Sequence, residues 1–178
     1  YLRLRIKIIA IANSKKTLVD VNSIDAKNWR KKLDKAQKTN LNDLFEKVKQ
    51  LNLRNSIFID NTADERVSLE YKRYLENNIG VVTCNKIACA DNFKNYKALK
   101  TVSRKFNSPF LFETNVGAGL PVIDTLSNLI ASGDQIIKIE AILSGSLNYI
   151  FNNFKIEDSF YKIVEEAMKK GLTEPDPR

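Results

Sequence analysis

The stretch Phe112-Glu113-Thr114-Asn115-Val116-Gly117-Ala118-Gly119-Leu120-Pro121 sets two glycines and a proline where a helical pattern begins. Glycine admits tight turns, and proline is pre-set for the first position of a helix. Backbone carbonyls gathered by such a turn would suit a hard cation without any side-chain ligand. The same residues would serve equally as a helix-entry turn with no ion. Three polar groups sit directly behind apolar runs: Asn13-Ser14-Lys15-Lys16, Asp60-Asn61-Thr62 and Asn85-Lys86. Gly145-Ser146 opens another helical pattern, where amides could approach a carboxylate or a ribose. Near the end, prolines on both sides of Asp176 stiffen the turn that carries Glu174. The chain has no histidine. Ser-His-Asp catalysis and a transition-metal site are therefore disfavoured, and acid–base work would fall to a carboxylate, lysine or tyrosine.

These groups need a frame to position them. Residues 6–12 read as a strand whose second half is apolar on both faces, as in the covered interior of a parallel sheet. Trp29, Leu33 and Ala36 form the stripe of a basic helix, and Asn40 can cap a helix over residues 41–51. Residues 56–60 form a second buried strand. One helix follows over 65–77, burying Val67, Tyr71, Tyr74 and Leu75, with Gly80 to close it. Residues 81–83 give a third strand, 91–106 a helix and 109–112 a fourth strand. Strands alternating with helices predict a parallel α/β sheet, which binds ligands outside the carboxyl ends of its strands. All three polar groups lie at such ends. After residue 115 the rhythm changes to a helix over 121–131, an alternating half-exposed strand over 135–143 and helices over 147–154 and 160–170. The predicted class is α/β, with an α+β second domain and a change of domain near 115.

Composition narrows the function. A 43% hydrophobic and 28% charged chain is that of an ordinary globular protein, and no apolar run is long enough to span a membrane. Cys84 and Cys89 give neither a disulfide framework nor metal spacing, which fits a reducing, cytoplasmic setting. The net charge is +8, with 14 Lys/Arg against 5 Asp/Glu in residues 1–54 and 15 against 16 in the remainder. That bias would admit a nucleic-acid-binding domain. The basic residues from Lys27 to Lys38 instead surround an apolar stripe, as on a solvated helix face, and no aromatics interleave with them. No nucleic-acid or membrane partner is expected.

The turn at 112–121, Leu143-Ser144-Gly145-Ser146-Leu147-Asn148-Tyr149-Ile150-Phe151 and Thr173-Glu174-Pro175-Asp176-Pro177-Arg178 together resemble homoserine dehydrogenase, above all the dehydrogenase half of bifunctional aspartokinase–homoserine dehydrogenases. The resemblance runs over nearly the whole chain. It implies an incomplete Rossmann-like NAD(P)-binding domain over 1–115 and part of a substrate and dimerisation domain over 116–178, in a homodimer. By the same resemblance Ala12, Ser14, Lys15, Thr62, Lys86 and Gly145 contact NADP or NAD. Gly145, Ser146 and Glu174 contact homoserine or aspartate 4-semialdehyde, with Glu174 on the amino group. A sodium ion is implied on the carbonyls of Glu113, Val116, Ala118 and Leu120. Ser14 with Lys15 and Lys16 stands where an NAD enzyme would place an acid, so NADP is favoured, although a polar turn accounts for the same residues. The family often has threonine where Ser146 stands, and tyrosine where Leu172 stands.

The resemblance also implies absences. No G-x-G-x-x-G turn precedes Ile6, the chain opens without methionine, and the family's catalytic lysine lies beyond Arg178. No catalytic residue is expected within these 178 residues, which alone are expected to be inactive and to carry open sheet edges. The competing expectation is a non-catalytic dimerisation module.

Overall fold

The computed structural model describes residues 3–173, and the chain divides into two compact units, Tyr1–Phe112 and Glu113–Arg178. The first unit holds two three-stranded sheets. β1 (Ala10–Ala12), β2 (Lys16–Val19) and β3 (Gln37–Lys38) form an antiparallel sheet. The expectation that residues 6–12 enter the parallel sheet is therefore overturned. Asn13 Oδ1 accepts the amides of Lys15 at 2.8 Å and Lys16 at 2.7 Å, and this side-chain turn folds the strand straight back. Ile6 is left 84% exposed. α1 (Trp29–Asp34) buries Leu33, and α2 (Leu41–Leu51) starts on Asn40, whose side chain accepts the Asn42 and Asp43 amides.

The second sheet is parallel, in the order β4 (Ile57–Asp60), β5 (Gly80–Thr83), β6 (Phe110–Leu111), with Asp60 level with Thr83. α3 (Glu65–Ser68) and α4 (Tyr71–Glu76) connect β4 to β5, while α5 (Ile87–Ala90) and α6 (Phe93–Lys105) connect β5 to β6. The single helix expected over 65–77 is thus two. At the break the Ser68 hydroxyl donates to the Glu65 carbonyl, a local bond that competes with the helical ladder. Gly80 does not close a helix either, because it begins β5. A Cβ there would lie 2.9 Å from Pro109 Cγ, so glycine permits the close approach of β6. The left-handed residue that follows α4 is Asn78, with φ 58°.

One face of this sheet packs on α4, and α2 lies against α4. Tyr71, Leu75 and Val81 are fully buried, the Phe58 ring stacks on Tyr74 at 4.2 Å, and Phe45 meets Tyr74 edge-on at 5.1 Å. The opposite face is open, with Ile57 59%, Ile59 61% and Leu111 55% exposed. β4 is therefore covered on one face and not on both as the apolar run suggested.

In the second unit, a 3-10 turn (Glu113–Asn115) leads to α7 (Val122–Ala131), α8 (Gly145–Asn153) and α9 (Phe160–Lys169). Ile150, Ile163 and Ala167 form a small core between α8 and α9, with Tyr149 and Val164 against it. Gly133 and Gly171, at φ 92° and 68°, end α7 and α9 where the sequence placed the stops. Residues 135–143 form no strand, and Ile137 is 97% exposed. Alternation prepares a segment for a sheet, but a strand exists only where a second segment supplies the ladder. Among the described residues of this unit none does.

Candidate functional site

The carboxyl ends of β4 and β5 meet at a buried polar cluster. Asp60, 1% exposed, is the last residue of β4, and Thr83, beside it in register, ends β5. From α4 the Tyr71 hydroxyl reaches both, 2.5 Å from Asp60 Oδ2 and 2.8 Å from Thr83 Oγ1. Asn85 Nδ2 donates to Asp60 Oδ2 and to the Asp64 carbonyl, each at 3.1 Å. The remaining bonds run into the loops. Asp60 Oδ1 accepts the Thr62 amide at 2.7 Å, Thr83 Oγ1 accepts the Asn85 amide at 2.8 Å, and Asn85 Oδ1 accepts the Ile87 amide at 3.1 Å. A buried carboxylate is stabilised here by three neutral donors, with no ion pair among the described residues. Burial, then the bond to Asp60, raises the Tyr71 phenol well above its ordinary range.

This cluster holds Thr62 and Lys86, two of the predicted cofactor residues, at the exposed rim of the same sheet edge. Thr62 Oγ1 accepts the Asp64 amide at 3.2 Å, which leaves its proton to donate outward. Asp64 caps α3, and the Arg66 side chain holds the Asp64 carboxyl below its usual value. Ala12, Ser14 and Lys15 lie on the other sheet, at the exposed β1–β2 turn. Lys16 is not available there, because its Nζ donates to the Ala36 carbonyl at 2.9 Å. In the sequence Asp60 and Asn85 are only polar strand ends, and Tyr71 is one of four residues on the buried stripe of a helix. A buried Asp at the end of an apolar strand was the available signal for the cluster.

In the second unit, Gly145 and Ser146 open α8, capped by the Ser144 hydroxyl accepting the Leu147 amide at 3.2 Å. A Cβ on Gly145 would meet nothing within 4 Å, so the helix start is open to a ligand. The Ser146 hydroxyl donates to the Leu172 carbonyl and ties this start to the segment entering residue 173. Glu174 lies outside the described residues. In the glycine turn, Gly117 and Ala118 are left-handed at φ 73° and 52°. The carbonyls of Glu113 and Leu120 accept the Val116 and Val122 amides at 3.3 and 2.9 Å, whereas those of Val116 and Ala118 accept no main-chain bond among the described residues. No cluster of acidic or thiol side chains fit for a metal occurs among the described residues. No helix there is long and apolar enough to cross a membrane.

A parallel sheet with helical crossovers and a polar carboxyl edge defines a protein with a Rossmann-like fold of the mixed α/β class. Residues 2–113 match the NAD binding domain of homoserine dehydrogenase, and residues 121–178 match the homoserine dehydrogenase family itself. The chain belongs to the homoserine dehydrogenase family. It is 42% identical over 175 residues to a bifunctional aspartokinase/homoserine dehydrogenase of Buchnera aphidicola, covering 98% of this chain and 21% of that protein. It is 44% identical over 128 residues to the homoserine dehydrogenase of Schizosaccharomyces pombe, covering 69% and 34%. A hyperthermophilic archaeal homoserine dehydrogenase solved in complex with NADPH superposes with a TM-score of 0.74 at 27% identity, covering 95% of this chain and 53% of that one. The chain thus spans about a fifth of the length of the bifunctional relative it matches.

Proposed function

We propose that this chain supplies the NAD(P)-binding unit and part of the substrate unit of an enzyme that reversibly reduces L-aspartate 4-semialdehyde to L-homoserine. The observation that carries this reading is the Asp60–Thr83 edge, which fixes the Thr62 and Lys86 loops outside the carboxyl ends of two parallel strands. The dinucleotide supplies the hydride when bound. The Thr62 hydroxyl donates to its polar groups, the Lys86 ammonium offers it a positive charge, and the open Ser14–Lys15 turn favours the 2′-phosphate of NADP. Gly145 and Ser146 present the start of α8 to the substrate carboxylate, and Glu174 takes the substrate ammonium. The carbonyls of Val116 and Ala118, with those of Glu113 and Leu120, are proposed to hold sodium. Residues 1–115 and 116–178 are proposed as the two domains, the second forming the homodimer of a cytoplasmic enzyme. Turnover is proposed to need groups that residues 1–178 do not contain.

The test is a fluorescence titration of the purified chain with NADPH. Saturable binding, weakened by Thr62→Val and by Lys86→Ala, is the expected result. Binding that neither substitution changes would refute the placement of the cofactor.

A further inference from the structure

The Asp60 cluster has a direction. A carboxylate only accepts, so the Tyr71 hydroxyl spends its one proton on Asp60 Oδ2. The Tyr71 oxygen must then accept from the Thr83 hydroxyl. Thr83 Oγ1, having donated, accepts the Asn85 amide. The chain of bonds therefore runs Asn85 N–H to Thr83, Thr83 O–H to Tyr71, and Tyr71 O–H to Asp60. Each member polarises the next in a buried setting. On its far side Asp60 holds the Thr62 amide through Oδ1. The phenol oxygen of Tyr71 is thus two bonds from the first turn of each loop. Asn85 then closes the figure by donating across to Asp64, in the other loop.

A purely architectural tyrosine would need none of this. A phenylalanine opposite an apolar residue would fill the same core and spare the burial of a charge. The hydroxyl sits at the strand ends, where ligands approach an open α/β sheet, and not within the apolar layer made by Phe58, Tyr74 and Leu75. Tyr74, one turn along the same helix and also buried, makes no hydrogen bond through its hydroxyl among the described residues, which separates the two roles on one element.

We propose that Tyr71 is a positioning residue for the dinucleotide: its hydroxyl clamps the ends of β4 and β5 alongside the Asn85 bridge and so fixes the spacing of Thr62 and Lys86. The proposal rests on the assignment of that edge to NAD(P). The effect should be selective. Loss of the hydroxyl takes a donor from Asp60 and an acceptor from Thr83 at once, so it loosens both loops and leaves Asn85 as the tie between them. Loss of the Thr83 hydroxyl loosens only the Asn85 side and leaves Asp60 with Tyr71, Asn85 and Thr62.

The experiment compares the 178-residue chain with Tyr71→Phe, Tyr74→Phe and Thr83→Val by residue-resolved amide exchange and by NADPH titration. For Tyr71→Phe, exchange at Thr62 and Asn85 should quicken and the NADPH Kd should rise, each by about tenfold. Tyr74→Phe should change neither. Thr83→Val should quicken Asn85 and spare Thr62, and it decides the matter if Tyr71→Phe lacks the parent circular dichroism. Unchanged exchange in both loops overturns the clamp. Quickened exchange with an unchanged Kd overturns the positioning role while leaving the cofactor assignment standing. No saturable NADPH binding by the parent chain overturns that assignment, and positioning for the dinucleotide falls with it, while the exchange data still decide the clamp.

Discussion

The Glu113 carboxylate folds back onto the first turn of α7, where Oε1 accepts the Ile123 amide at 2.9 Å. Oε2 takes the Asp124 amide at 2.7 Å, so one side chain satisfies two of the free donors at the helix start. Pro121, at the N-cap, has no side chain that could do so. Glu113 thus acts on the glycine turn twice, by its carbonyl within the turn and by its carboxylate across it.

Glu113→Ala should therefore destabilise the chain by about 1 kcal/mol, through the lost cap and the lost negative charge at the helix start. A thermal melt followed by circular dichroism should show the midpoint lowered by about 2–4 °C. Glu113→Gln, which keeps an acceptor, should fall between the two. Equal melts for all three would remove the cap from the account.

Asp60→Ala should cost more, about 3 kcal/mol, since it takes the acceptor from the Tyr71 hydroxyl and the Thr62 amide and leaves Asn85 Nδ2 with the Asp64 carbonyl alone. Urea unfolding measures it. A loss below about 1 kcal/mol, the level of an ordinary exposed pair, would mean that water replaces the carboxylate.

Alkaline titration should separate the tyrosines. Burial raises Tyr71 and Tyr74 above the normal phenol value of 10.0, with the Asp60 bond adding to Tyr71. A group with a raised folded-state pKa stabilises the fold fully below its unfolded value and loses that contribution as pH climbs through the folded one. Stability should accordingly begin to fall above about pH 10. Absorbance at 295 nm should show the Tyr71 and Tyr74 phenols ionising only as the chain unfolds. Ionisation of all six tyrosines near pH 10 in the folded chain would contradict their burial.

The open face of the parallel sheet should bind a hydrophobic dye. Ile57 and Ile59 on β4 and Leu111 on β6, each more than half exposed, share this face, with Val82 of β5 between Ile59 and Leu111. The double variant Ile57→Ser, Ile59→Ser should reduce dye fluorescence and any concentration-dependent sedimentation without changing the melt by more than about 0.5 kcal/mol. Undiminished fluorescence would place the sticky surface elsewhere.

Much of this architecture was written locally. Asn40 and Gly171 mark helix ends because their effect lies within one turn of chain. The three strands of the parallel sheet were legible for a similar reason, as short apolar runs bounded by polar turns. Asn13 shows the limit of local reading. By residue type it is the polar end of a strand, yet its Oδ1 receives two amides and turns the chain into a hairpin.

The sequence by itself determined the order of elements, the polar residues at the strand ends and the family to which they belong, because these depend on residue type and near neighbours. The tertiary structure alone decided which segments pair and which buried groups meet. Residues 6–12 and 135–143 carried strand-like patterns, but a ladder depends on a partner distant in sequence and not on the pattern. Tyr71 looked like core for the same reason: 11 residues of chain separate it from Asp60 and 12 from Thr83, and only the packing of α4 on the sheet brings its hydroxyl between them.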